Sequence, residues 1–166
     1  MDLLHEWMAD PPPYIILLVP LFAFLESCAI VGIFVSGLIL LSTATLLYST
    51  GNSTILEIVP LAFFGAMAGD HTGYFLGRFV GDKFWKAPIL RRYEQRKHQV
   101  HQLLEKSAPF AICMGRLTPA LRSITPIVAG VSGLSPARFL AFDLLACTIW
   151  AAGLCLLVTQ IGDSLL

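Results

Sequence analysis

Charged residues are scarce in this sequence. Only 13% of its 166 residues are Asp, Glu, Lys or Arg, whereas 56% are hydrophobic and the mean hydropathy is +0.74. An ordinary globular domain carries about 25% charged residues, most of them on its surface. The scarcity argues against a soluble enzyme, and a formal net charge of zero gives no reason to expect nucleic acid as a partner. Most of the chain is therefore expected to contact lipid.

Cysteine pairs at metal-binding or redox spacing are also absent. No C-x-x-C motif occurs, and each cysteine lies among apolar residues, which is typical of small core side chains. We therefore expect no metal and no other cofactor. The first ten residues hold three acids and no Lys or Arg, unlike the basic start of a signal peptide, so insertion is expected to depend on the mature segments. The cysteines are Cys28, Cys113, Cys147 and Cys155.

Four apolar segments divide the chain into 14–48, 55–81, 108–135 and 137–162. The second and fourth predict spanning helices, because about 20 helical residues cross the hydrocarbon core of a bilayer. The other two are interrupted by prolines, glycines and charges, among them Pro20 and Pro126. Irregular backbone at membrane depth survives only where protein or a wet cavity encloses it. We therefore predict that both interrupted segments are re-entrant helical hairpins.

The connector at residues 82–106 carries seven bases against three acids. Lys and Arg resist translocation, so this connector is predicted to be cytoplasmic. It could be an amphipathic helix on the membrane surface or a solvated loop. The whole pattern predicts an all-α polytopic membrane protein with a single domain over residues 1–166. Its two hairpins, each followed by a transmembrane helix, would form an inverted repeat with a site near the midplane.

Three charged residues lie where charge is costly. Glu26 follows an apolar stretch, and Arg116 and Arg122 lie in the third segment on either side of Pro119. A charge at bilayer depth costs at least a few kcal/mol, about 2.5–3.5 on insertion scales, unless it faces a partner or a cavity. A bend at Pro119 would let both guanidinium groups converge, and paired arginines suit a phosphate. We predict that Glu26, Arg116 and Arg122 bind the phosphate headgroup of a membrane lipid.

The two acids Glu26 and Asp70 each have two interpretations. Glu26 is either a proton relay or half of an ion pair that holds the two hairpins together. Asp70 is either a site residue that relays protons or a polar group at a helix interface. It lies in a ladder of glycines spaced every four residues, which predicts close helix packing in lipid. The ladder consists of Gly65, Gly69, Gly73, Gly77 and Gly81.

Three motifs resemble the DedA family, also called the SNARE-associated or VTT family. They are Phe24-Leu25-Glu26, Gly69-Asp70-x-x-Gly73-Tyr74-x-x-Gly77-Arg78, and Gly115-Arg116-x-x-Pro119-x-x-Arg122-x-x-x-Pro126-x-x-Ala129-Gly130. The resemblance implies two opposed re-entrant hairpins and movement of undecaprenyl phosphate or a phospholipid across the inner membrane. In some members this movement is driven by the proton-motive force. By position, Glu26, Arg116 and Arg122 match the family's functional acid and arginines.

The sequence departs from the family pattern at Leu38. Members usually have an acidic residue there, about twelve positions after the glutamate, so the second acid associated with proton coupling is missing. The chain also ends soon after Gly162 without the additional helix of many relatives. We therefore expect a homo-oligomer to cover the face that this leaves open.

The favoured function is a lipid translocase, a flippase or scramblase, in the inner membrane. The alternative is a membrane assembly or envelope-homeostasis factor that transports nothing and whose buried charges are structural. A membrane phosphatase would need a nucleophile such as histidine near the arginines, and neither interrupted segment contains a histidine. We therefore expect that the protein is not an enzyme.

Overall fold

The structure is a computed structural model that describes residues 13–28, 32, 37–81, 107, 110, 112–116, 118 and 121–164. Every regular element in these ranges is helical, and they contain no strand. A 3₁₀ turn leads into five helices, and residues 112–116 are also helical. The turn is Pro13–Leu17, and the helices are α1 (Leu18–Ser27), α2 (Gly37–Ser49), α3 (Ile55–Val80), α4 (Thr125–Val131) and α5 (Pro136–Asp163).

The all-α class predicted from the sequence is confirmed for this part of the chain. The segment 14–48 contains α1 and α2, and 108–135 contains α4 and the helical residues 112–116. The re-entrant path of these segments and their inverted repeat stay predictions. The connector at 82–106 lies outside the described residues.

Local sequence signals fix both ends of α3. At its start, Thr54 and Glu57 form a capping box in which the Thr54 amide donates to Glu57 Oε2 at 2.8 Å. At its end, Gly81 has a φ of 53° and its amide donates to the Gly77 carbonyl. This left-handed conformation is easy for glycine, which lacks Cβ. These two signals account for a continuous helix of 26 residues.

Helix α5 is the strongest candidate for a membrane span. Ser135 accepts a hydrogen bond from the Arg138 amide and Pro136 occupies the first turn, a favourable start for a helix. Of the helices described, α5 alone is both long and apolar enough to cross a bilayer. Helix α3 has the length, but Asp70 and His71 lower its hydropathy. Its role as a second span stays a prediction.

Glycines let α3 pack closely against two other helices. A Cβ at Gly69 would lie 2.6 Å from the Phe24 carbonyl oxygen of α1, and a Cβ at Gly77 would overlap the Ile127 carbonyl of α4. Neither position has room for a side chain without backbone movement. The glycine ladder therefore places α1 against one half of α3 and α4 against the other.

Buried apolar residues form two separate clusters. The first joins α1, α2, α3 and α5, and the second joins α3, α4, α5 and neighbouring residues. Asp70 lies on α3 one turn after Ala66 of the first cluster and one turn before Tyr74 of the second. By contrast, large apolar side chains such as Phe64 and Phe79 are 60% and 90% exposed. Apolar residues outside and charges inside are the arrangement expected of a protein surrounded by lipid.

Candidate functional site: a buried cluster of ion pairs

Glu26 and Arg122 form an ion pair between distant parts of the chain. Glu26 lies at the end of α1 and is only 3% exposed. Arg122 lies in the turn before α4, and its Nη1 donates to Glu26 Oε1. The pair therefore connects the first interrupted segment to the second. This is the contact expected if the two predicted hairpins meet inside the membrane.

The first residue of α2, Gly37, leaves room for this pair. A Cβ at this position would lie 2.5 Å from Glu26 Oε1 and 3.5 Å from Arg122 Nη1. Any side chain at position 37 would thus press on the carboxylate itself. The sequence analysis gives Gly37 no role in the site, whereas in the structure Gly37 lies directly against the Glu26 carboxylate.

We expect Gly37→Ala to separate Glu26 from Arg122. The added methyl group must displace the carboxylate, and crowding of this kind costs about 1–3 kcal/mol. The expected result is a lower melting temperature in detergent together with weaker activity in a lipid-translocation assay. Gly153→Ala is the matched control, because a Cβ at Gly153 would meet nothing within 4 Å. Equal behaviour of the two variants would contradict the tight fit at Gly37.

Arg116 is held by two carboxylates from two helices. Its Nη1 contacts Asp70 Oδ2 of α3 and donates to Asp143 Oδ1 of α5 at 3.2 Å. Its guanidinium carbon lies 5.8 Å from the centre of the Trp150 ring, within cation–π range. Arg116 is 7% exposed, and both aspartates are 1% exposed. Arg116 therefore ties α3 to α5 in the protein interior.

Asp143 is the site residue that the sequence analysis does not identify. It interrupts the apolar run Ala141-Phe142-Asp143-Leu144-Leu145, which is the same signal that marks Glu26. The sequence analysis considers two acids, Glu26 and Asp70, beside the two arginines, but the structure surrounds those arginines with three carboxylates. Each of the two guanidinium groups therefore has a carboxylate partner.

His71 lies at the margin of the cluster. Its Nδ1 is 2.9 Å from the Met67 carbonyl oxygen, which can only accept, so Nδ1 carries the proton of that bond. The same nitrogen lies 3.6 Å from Asp143 Oδ2, too far for a hydrogen bond. The ring packs edge-on against Phe139 with centroids 5.2 Å apart. His71 thus borders the Asp143 carboxylate without being bonded to it.

A small cavity joins the two ion-pair groups. Arg116 and Arg122 both line it. About 10 Å³ of the cavity is open to the centre of a water molecule, roughly the space that one water needs. A phosphate headgroup does not fit in so small a space. The lining residues are Ser27, Asp70, Arg116, Arg122 and Trp150.

Asp70, Asp143 and Cys147 have potential metal ligands within 4.8 Å of one another. However, the Arg116 guanidinium already contacts both carboxylates and would repel a cation in the same place. This group of three is therefore a poor metal site in the conformation described.

A helical protein with an apolar exterior and a buried set of ion pairs belongs to the class of helical membrane proteins. The VTT domain family matches residues 13–160. The chain is therefore a member of the VTT domain, or DedA, family of membrane proteins.

Similar proteins are known in several bacteria. An uncharacterised membrane protein of Mycobacterium leprae is 33% identical over 69% of this chain and 52% of its own length. The inner membrane protein YabI of Escherichia coli is 26% identical over 89% of this chain and 58% of its length. Protein DedA of Escherichia coli is 30% identical over 89% of this chain and 68% of its length.

The chain spans about half the length of the first of these curated relatives, at 52%. No solved structure gives a significant match. The comparisons therefore establish family and membrane association, and the names of these relatives describe no activity.

Proposed function

We propose that this protein is a translocase, a flippase or scramblase, for a phosphate-bearing lipid such as undecaprenyl phosphate or a phospholipid. It would be a multi-pass protein of the inner (plasma) membrane, with two re-entrant hairpins in an inverted repeat. The observation that supports this most directly is the shared cavity, because the buried guanidinium group of Arg116 and the partly buried one of Arg122 both line it. Guanidinium groups are well suited to phosphate because their planar forks bind its oxygens in pairs.

The proposed binding step is an exchange of anions. In the structure Glu26 contacts Arg122, while Asp70 contacts Arg116. A phosphate entering the opened cavity would take the place of these carboxylates. Each arginine then keeps an anionic partner in both conformations, so neither guanidinium is left unpaired in low dielectric. The lipid tails would stay among the apolar side chains outside.

Proton coupling follows from the same exchange. Once a phosphate holds the arginines, Glu26 and Asp70 are buried carboxylates without a positive partner, which is unfavourable in a low-dielectric interior. Taking up protons removes that cost. Phosphate binding and proton uptake would therefore favour each other, with Glu26 and Asp70 as the proton acceptors.

The second candidate function is an assembly or envelope-homeostasis factor. The observation in its favour is that each guanidinium already has a carboxylate partner, Glu26 for Arg122 and the two aspartates for Arg116. Such pairs could simply hold the helices together. The two functions differ in what happens when a pair is replaced by neutral groups of similar shape.

Reconstitution of the purified full chain into liposomes tests the proposal. Labelled phosphatidylethanolamine and undecaprenyl phosphate would each be followed across the bilayer, with and without a pH gradient. We expect at least one of these lipids to move faster than in protein-free liposomes, and a pH gradient to change its rate. If neither lipid moves faster than in protein-free liposomes under any of these conditions, the translocase proposal is wrong.

A further inference from the structure

The buried cluster holds more acids than bases. Glu26 is balanced by Arg122, but Asp70 and Asp143 share the single guanidinium of Arg116. With all of these groups ionised, the cluster carries one excess negative charge. All five side chains are less than a fifth exposed, so water can do little to stabilise that charge.

Of the two aspartates that share Arg116, Asp143 makes the longer contact with it. Its Oδ1 accepts from Arg116, whereas its Oδ2 is buried and no nitrogen donates to it. The Cys147 thiol is a further hydrogen-bonding neighbour of this carboxyl group, and His71 Nδ1, 3.6 Å from Oδ2, directs its proton to the Met67 carbonyl. An ionised carboxylate would leave one oxygen unsatisfied in the protein interior, which is costly. A protonated carboxyl group would not carry that charge.

Apart from Arg116, the described residues place one group that can carry a positive charge against Asp143, namely His71, and it does so only when it is protonated. Two thiols are neutral neighbours, one from its own helix and one from the segment that carries Arg116. Among the residues that the structure describes, the titratable and charged groups facing Asp143 are Asp70 and His71 from α3, Cys113 and Arg116 from residues 112–116, and Cys147 from α5.

We propose that Asp70 and Asp143, which both contact Arg116, form a proton-binding site. The pair holds one proton, and Asp143 is the residue that carries it. Two carboxylates that cannot both ionise share a proton in the same way in other buried pairs. This site does not include Glu26 and requires no acid at position 38, where Leu38 is 69% exposed. The proton-site proposal rests on the proposed function only in that both involve Arg116. It can be tested without measuring lipid movement.

The direct test is the infrared spectrum of the purified full chain in detergent at neutral pH. We expect the carbonyl stretching band of a protonated carboxylic acid, shifted in deuterium oxide, and we expect Asp143→Asn to remove it. Asp163→Asn is the matched control, because Asp163 is an exposed acid on the same helix that accepts from Tyr48. The control should keep the band. A wild-type spectrum without the band, or an unchanged band in Asp143→Asn, overturns the proposal.

Thermal stability provides a second readout. Over the range in which the native pair holds the extra proton and the unfolded chain does not, raising the pH must destabilise the native state. We expect the wild-type melting temperature to fall by about 3 °C or more between pH 6 and 8.5. A shift of roughly this size in melting temperature is expected when a chain of this length loses the stability that one buried proton gives its native state. Asp143→Asn should flatten this dependence, because the remaining charges balance.

Two further arms keep the test decisive. If Asp143→Asn does not fold, Asp70→Asn should remove the same band, since Arg116 would then pair with an ionised Asp143. If the wild type lacks the band and added Zn²⁺ raises the melting temperature of the wild type but not of Asp143→Asn, the carboxylates bind a metal and the proton assignment is wrong. Failure of lipid translocation with the band intact would instead count against the proposed function alone.

Discussion

Arg122→Ala is expected to abolish lipid translocation and to destabilise the protein. The substitution leaves the Glu26 carboxylate, which is 3% exposed, without its guanidinium partner. Breaking one side of a buried ion pair typically costs about 3–5 kcal/mol. The variant should therefore have a markedly lower melting temperature in detergent, and the surviving folded fraction should move lipid no faster than protein-free liposomes.

Arg138→Ala is the control for this experiment. Arg138 is an exposed arginine in the first turn of α5 and does not line the cavity. The Arg138→Ala variant should translocate lipid at the wild-type rate. Wild-type rates from folded Arg122→Ala protein would rule out Arg122 as a phosphate ligand.

Arg116→Lys is expected to be nearly as damaging, although the charge is kept. One guanidinium group now contacts Asp70 and Asp143 and lies over Trp150. An ammonium group has no planar fork and a shorter reach, so we expect it to lose at least one charge-assisted hydrogen bond. Such a bond contributes about 1.5–3 kcal/mol, which corresponds to roughly a tenfold to hundredfold loss of rate if it also forms with the phosphate.

The measurement is the translocation rate per folded protein, compared with Arg138→Lys as the matched exchange at an exposed position. Full activity in Arg116→Lys would mean that positive charge alone is needed there. The phosphate would then not be bound through the guanidinium fork.

Much of the fold could be predicted from composition and local signals. The lengths of the apolar segments anticipate α3 and α5 to within a residue or two, since 55–81 and 137–162 correspond to Ile55–Val80 and Pro136–Asp163. Caps and glycines act locally, so they can be recognised in the sequence. The glycine ladder likewise indicates tight packing before any partner helix is known.

The site was only partly predictable because ion pairs depend on tertiary contacts. Isolated charges in apolar segments identify Glu26 and Arg122 as candidates, but the sequence does not say which acid contacts which base. Glu26 and Arg122 are 96 positions apart in the sequence and come into contact only in three dimensions. Asp143 carries the same local signal as Glu26 and was missed, because it lies in a segment long and apolar enough to be read as a plain span.

Asp70 shows how one residue can satisfy both of its sequence interpretations. It lies among the packing glycines of α3, and a Cβ at the preceding residue, Gly69, would press on α1. Its carboxylate nevertheless contacts Arg116 and lines the cavity. A polar group at a helix interface is thus also part of the candidate site.

The charge-neutral double variant Glu26→Gln/Arg122→Gln tests the central claim most directly. Two amides can hydrogen-bond to each other, and replacing a buried ion pair with uncharged groups often leaves stability unchanged. We expect a folded protein with a melting temperature near that of the wild type and no lipid translocation in liposomes, because the phosphate has lost its guanidinium. Wild-type translocation by this folded variant would contradict a phosphate-binding role for the pair and would leave it a purely structural contact.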